Sequence, residues 1–396
     1  MAAAALAAVA LMAAPAHADA PAPGSVPPDQ DPFYAAPANI GTYAPGQIVA
    51  TRPVTPAVGY LAWQVKAWQI SYRTSDSHGA PELAVTSLLV PTGAWTGQGA
   101  RPVVSLQAAE DSTGTQCSPS YDLDSNSSFS STNAVQAEQM LVMGWAVAEP
   151  DFEGPKSVFM GGLQAGHAVL DGIRAVRNFG QAGIGTGNRW GLYGYSGGAE
   201  ATGWAAQLQP SYAPEIKLAG AAMGGTPADP AAVARSLDGG PSAGFEAAAA
   251  ASLEAEYPEA GISGLLNAQG VTALRESRGQ CIGTLLAKFK GMKLADYSTV
   301  PDPLAVPSVA KVLKENTLGA TPPATPIYDY HSNADEIVPV GQDDTLVHDW
   351  CAAGATVQKT RDPFGQHTQQ AVFRALSVNM FLNDRFTGKP GQNDCA

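Results

Sequence analysis

Charge is scarce in this sequence: 14% of its 396 residues are Asp, Glu, Lys or Arg, against 45% hydrophobic. That balance excludes extended disorder and implies a globular chain able to bury a large core. Basic residues are scarcer still, 22 against 35 acidic, for a formal net charge of −13. A chain this acidic is repelled by nucleic acid and by anionic membrane surfaces, which leaves neutral substrates as the expected partners. Cysteine is limited to Cys117, Cys281, Cys351 and Cys395, with no CxxC pair, so no structural metal is expected. Beyond the first residues no apolar run is long enough to span a membrane. Internal repeats are missing as well.

What is present begins with MAAAALAAVALMAAPAHADA, an apolar run closing on Ala16-His17-Ala18, the small-x-small pattern of signal-peptidase sites. Residues 1–18 read as a signal peptide, so the mature chain is expected to be secreted. With no Lys or Arg ahead of the run, the precursor is expected to start upstream of Met1. Export favours disulfides over free thiols, and four cysteines leave three pairings open. Residues 19–58, rich in Pro, Ala and Gly without periodicity, read as an extended N-terminal arm or a flexible leader.

From residue 67 the pattern changes. AWQISYR and LAVTSLLVP are β-prone runs joined by the turn-rich SDSHGAPE, which predicts an antiparallel hairpin. Six short apolar runs follow at residues 102–106, 145–149, 190–195, 216–223, 326–331 and 355–361, without clean alternation, as expected of strands buried on both faces. Helical segments separate most of them; in Ala165 to Phe179, Val169, Leu170, Ile173 and Val176 recur at helical spacing. Strand and helix in alternation predict an α/β fold, a mostly parallel sheet with helices on both faces. Between Thr226 and Thr325 the alternation gives way to Ala-rich helical segments. Residues 227–325 therefore read as a helical cap inserted into a core formed by 59–226 and 326–396.

Gly194-Tyr195-Ser196-Gly197-Gly198 matches G-x-S-x-G. It follows the apolar run WGLYGY and precedes a small-residue helix start, the strand–turn–helix context of the α/β-hydrolase nucleophile elbow. A second match, Gly240-Pro241-Ser242-Ala243-Gly244, follows no strand and carries a proline before its serine, so it reads as a loop. Ser196 is the expected nucleophile. Its base should come last in the chain, in a loop after the final core strand, and its acid between them. His17, His78 and His167 precede the serine; the last two read as solvent-facing residues of a hairpin loop and a helix. His331 closes a strand too early and His348 sits in a helical segment, which leaves His367 as the base. Asp335, in the loop after PIYDYH, is the expected acid, with Glu336 as runner-up, while Asp343, Asp344 and Asp349 read as solvated or capping charges of the next helix. The oxyanion calls for two N–H donors. Gly197 supplies one, and the other is expected near Glu110 to Ser112, in a loop without an HGGG motif.

With these residues in place, the chain resembles the secretory lipase family over most of its mature length. The likeness runs through DPFYAAP, ISYRTSDSHGAPELAVTSLLVP, EDSTGTQCSPSYDL, PDFEGP, GYSGGAEATGWAAQLQPSYAPE, HSNADEIVP and GQH. The resemblance implies a triad of Ser196, Asp335 and His367, Asp111 as partner of Gly197 in the oxyanion hole, and bridges Cys117–Cys281 and Cys351–Cys395. It also implies hydrolysis of triacylglycerols and simpler esters, at a lipid–water interface or in solution, without metal or organic cofactor. The insertion segment GGPSAGFEAAAAASLEAEYPEAG departs from the family's lid and acyl-binding segments. A short-chain esterase, an acyltransferase or a peptidase would use the same triad, and a secreted binding protein could keep the fold without the chemistry.

Overall fold

The apolar runs that lack alternation become the middle of one sheet. The computed structural model describes residues 21–56, 64–125 and 131–395, so the signal-peptide reading of residues 1–18 lies outside the described residues. Nine strands among them are β1 (Ile48–Val54), β2 (Val65–Ser75), β3 (Pro81–Pro91), β4 (Val103–Gln107), β5 (Ala146–Pro150), β6 (Trp190–Tyr195), β7 (Leu218–Gly224), β8 (Ile327–Ser332) and β9 (Val357–Asp362). They join in the order β1-β2-β3-β5-β4-β6-β7-β8-β9. From β5 to β9 every pairing is parallel, whereas β1 to β3, and β3 with β5, pair antiparallel. Every residue of β4, β5, β6 and β8 is buried, the condition of a parallel strand covered on both faces.

The cover is helical on each side. Gly162–Phe179, Gly197–Tyr212 and Val340–Ala352 bury Val169, Ile173, Trp204 and Trp350 against one face. Ser131–Val142 and Ala375–Phe386 bury Met140, Leu141, Phe381 and Leu382 against the other. This is the α/β-hydrolase arrangement.

One element of the N-terminal arm differs from its reading. Ile48–Val54 is not a leader but the outer strand of the sheet, paired with β2. Pro53 hides it from sequence inspection, because proline forfeits a ladder donor and is tolerated in a sheet only at an edge, which is where β1 lies.

Between β7 and β8 the chain leaves the sheet and returns through the helices Pro230–Leu237, Gly244–Glu256, Ala268–Ser277, Ile282–Lys288, Leu294–Tyr297 and Pro307–Glu315. These have small cores of their own. One joins Ala247, Leu285 and Phe289 to Phe159 and Met160 of the sheet side, and another gathers Leu253, Val309 and Leu313. Cys117 is bonded to Cys281 and Cys351 to Cys395, the pairing that the resemblance implies. The first bridge closes a sequence separation of 164 residues. By chain entropy, a loop of that size restricts the unfolded state by about 5 kcal/mol.

Candidate active site

Ligands of parallel α/β sheets gather beyond the carboxyl ends of the strands, and four such ends converge here. Asp111 follows β4, Ser196 follows β6, Asp335 follows β8 and His367 follows β9. Ser196 has φ 58° and ψ −126°, a left-handed backbone that an L-residue adopts only under strain. Two glycines make that turn possible by close approach. A Cβ on Gly194 would strike the carbonyl of Gly198, and one on Gly198 would strike the carbonyl of Gln107 at the end of β4. The Ser196 N–H donates to Gly224 O at 2.9 Å, which pins the turn to β7. The rival Ser242 lies in a turn ahead of the helix Gly244–Glu256.

The serine hydroxyl lies 2.8 Å from His367 Nε2, and His367 Nδ1 lies 2.7 Å from Asp335 Oδ2. Asp335 is held in turn: its Oδ1 accepts the backbone N–H groups of Ile337, at 3.0 Å, and Val338, at 2.8 Å. Glu336, the runner-up acid, accepts the backbone N–H of His367, at 3.0 Å. His367 is not in a loop, as the chain order suggested. It is the first residue of the helix His367–Phe373, because Gln366 and Gln369 form a reciprocal capping box that starts a helix there. Tyr195 packs on the imidazole, with ring centroids 5.2 Å apart, and donates its hydroxyl to the carbonyl of His367.

A residue passed over in the sequence stands directly behind this relay. His331, in β8, has a fully buried side chain with Nε2 3.3 Å from Asp335 Oδ2, while its Nδ1 lies 2.8 Å from Asp343 Oδ2. Burial alone would lower its pKa, but hydrogen bonds to Asp335 and Asp343 outweigh that and raise it to about 10. Burial would likewise raise Asp335, yet the bonds from His331 and His367 hold it well below the ordinary carboxylate range. Asp343 is therefore no solvated charge. It is fully buried and also pairs with Arg361 Nη2 at 3.2 Å. A signal was available, since Asp343, Leu346, Val347 and Trp350 share one helical face that is buried throughout. His167 is also only partly solvent-facing, its ring tilted against Tyr212 with centroids 4.4 Å apart.

Asp111 also has a positive φ, 49°, and its carboxyl is buried beside Gly197, where a Cβ would strike Asp111 Oδ1. The loop that carries it is tied to the insertion. Thr113 N donates to Gln280 O at 3.0 Å, Ile282 N donates to Ser112 Oγ at 3.2 Å, and the Cys117–Cys281 bridge follows. From Asp111 and Ser196 a cavity extends under the helical insertion between Phe159, Phe245, Leu253, Leu274, Met292 and Leu313. Its wall is almost wholly apolar. Elsewhere Asp76, His78 and Glu256 converge at metal-ligand spacing, but Lys156 Nζ is already 2.9 Å from Glu256 and 3.7 Å from Asp76, supplying the cation.

Asp111 and Glu200 are buried beside the serine turn, and Glu149 and Asp151 are buried at the end of β5; burial raises all four, Asp111 to about 6, Asp151 to about 7, Glu149 and Glu200 to about 8. A folded pKa above the unfolded one means that the unfolded chain releases its proton first as pH rises. The stability these groups contribute is thus full below about pH 4 and is lost as pH climbs toward about 8. His331, raised, adds a loss above its usual 6.5; the contribution of Asp335, lowered, is complete by about pH 5 and constant above. Calorimetry should therefore give a Tm several degrees higher at pH 5 than at pH 8. A Tm that is flat or rises over this range would show that these carboxyls ionise within the fold.

A serine hydroxyl on an imidazole that is itself held by a buried carboxylate, set at the foot of an apolar cavity, can transfer acyl groups. Fold and site define a carboxylic ester hydrolase of the α/β-hydrolase class. The chain belongs to the secretory lipase family, whose sequence profile matches residues 123–394. Among solved structures it is similar to Candida antarctica lipase A in its closed state, with a TM-score of 0.88 and 30% identity over 94% of this chain and 90% of that one. It is 33% identical to the secreted triacylglycerol lipase LIP2 of Malassezia furfur, covering 93% of this chain and 81% of that protein. It is also 33% identical to a Mycobacterium tuberculosis protein named "probable inactive lipase", over 92% of this chain and 83% of the relative.

Proposed function

We propose that this chain is a secreted triacylglycerol lipase in which Ser196, His367 and Asp335 form a catalytic triad. The observation that carries the reading is the unbroken relay Ser196–His367–Asp335 at the foot of an almost wholly apolar cavity. Ser196 Oγ attacks the ester carbonyl while His367 Nε2 takes its proton, and Asp335 holds the imidazole in the required orientation and stabilises its charged form. The backbone N–H groups of Gly197 and Asp111 receive the oxyanion, in keeping with the strained turn of each loop. The alcohol leaves with the proton from His367, and water then attacks the acyl-enzyme with His367 again as base. Residues 227–325 act as a cap that lines the acyl site. An uncharged lipid ester suits both the apolar wall and the net charge of −13. The leader-like residues 1–18 and the two disulfides support export.

The test is a rate series on p-nitrophenyl esters from acetate to palmitate, plus emulsified triacylglycerol, with fluorophosphonate labelling mapped by mass spectrometry. Long-chain and emulsion hydrolysis with label on Ser196 is expected. Activity confined to the shortest esters would replace the lipase reading with an esterase, and an unlabelled, inactive folded chain would leave a binding protein.

A further inference from the structure

On either side of His367 five large apolar side chains are exposed, among the exposed polar Gln366, Thr368 and Gln369. Phe364, Val372, Phe373, Leu376 and Met380 are each between 59% and 70% exposed. Leu376 and Met380 stand one turn apart on Ala375–Phe386, and Val372 lies one turn earlier on His367–Phe373, which runs on into it through Arg374 N donating to Gln370 O at 3.1 Å and Val378 N donating to Arg374 O at 2.9 Å; Phe373 lies over the Gly365 backbone next to Phe364. The opposite side of Ala375–Phe386 is already committed to the core through Val378, Phe381, Leu382 and Phe386.

We propose that this face docks on the surface of an uncharged ester lipid, the phase that holds the substrate; the proposal rests on the lipase reading above. Position is the first reason. Leu382 and Phe386, in the last turns of the helix, lie against Gly191 near the start of β6, so its first turn lies toward the end of the strand where Ser196 stands. Its exposed residues Leu376 and Phe373 thereby share the active-site end with His367, which opens the same seven-residue helix. Charge is the second reason. The cation within the patch, Arg374, is held by Asp362 through two nitrogens, so no free basic group is offered to an anionic headgroup, and the net charge of −13 opposes such a surface too. An apolar, uncharged face on a protein whose substrate is an apolar, uncharged lipid matches its partner in both respects.

The experiment compares the full-length chain with Phe373→Gln/Leu376→Gln, glutamine being chosen because it keeps helix propensity. Flotation with triolein droplets stabilised by phosphatidylcholine reads adsorption, and p-nitrophenyl butyrate below its solubility limit reads the chemistry in solution. Both chains are also floated in a Ser196→Ala background, where adsorption is measured without turnover. The expected result is a loss of about tenfold or more in droplet adsorption and triolein hydrolysis, with butyrate hydrolysis and Tm unchanged. Unaltered adsorption of the double variant would overturn the proposal. So would a concentration-dependent dimer, seen by sedimentation in the native chain and absent from the variant, with adsorption retained, since the face would then belong to a second copy. Failure of butyrate hydrolysis in the native chain would instead refute the lipase reading, and the Ser196→Ala flotation would still decide whether the face binds lipid.

Discussion

Ser196→Ala should lower kcat for p-nitrophenyl esters by about 10⁶-fold, leaving only the residual acceleration that an oxyanion site and substrate binding provide. His367 Nε2 is 2.8 Å from Ser196 Oγ, so the two side chains act as one unit. His367→Ala should therefore cost about as much, and the double variant scarcely more. The backbone adds a control that activity alone does not. Alanine at position 196 keeps the φ of 58°, whereas glycine accepts it freely, so Ser196→Gly should be equally inactive yet about 1 kcal/mol more stable than Ser196→Ala by urea unfolding. Substantial ester hydrolysis by folded Ser196→Ala would remove the serine from the mechanism. Equal stability of the alanine and glycine variants would mean that the turn relaxes in solution.

For Asp335→Asn the expected loss is about 10⁴-fold in kcat, with the fold retained. Asparagine can still accept from the Ile337 and Val338 amides through its carbonyl oxygen. Its amide nitrogen then faces His367 Nδ1, a position that an anionic oxygen serves in the native chain, while His331 Nε2 keeps Val338 O at 2.9 Å. The imidazole loses the partner that fixes its tautomer and stabilises its charge. Glu336→Gln should fall by no more than a few fold, because that carboxylate receives a backbone N–H of His367. Comparable losses for the two variants, with intact folding by circular dichroism, would reassign the acid.

The legible parts were those that obey local rules. Buried parallel strands announce themselves as short apolar runs, and the strand–Gly-x-Ser-x-Gly–helix context singled out Ser196 against Ser242. Chain order then narrowed the histidines to His367 and the acids to Asp335 or Glu336, and contact with the ring separates those two in the folded chain. β1 escaped notice because its proline reads as a breaker unless the strand is known to lie at an edge. Asp343 is hidden because a charge by itself does not tell which face of its helix a residue occupies.

By itself the sequence determined the parts list: a low-charge chain of alternating strands and helices, a serine on a tight turn, and an acid and a histidine after it in the right order. These follow from backbone sterics and hydrophobic periodicity, which act over a few residues and so are written in any short window. Only the tertiary structure decided that His331 and Asp343 stand behind Asp335, that Asp111 and Glu200 are buried beside the serine turn, and that an apolar face is left uncovered beside His367. Burial and pairing are set by which strand ends and helix faces meet across the sheet, and that is a property of the packed chain rather than of any stretch of it.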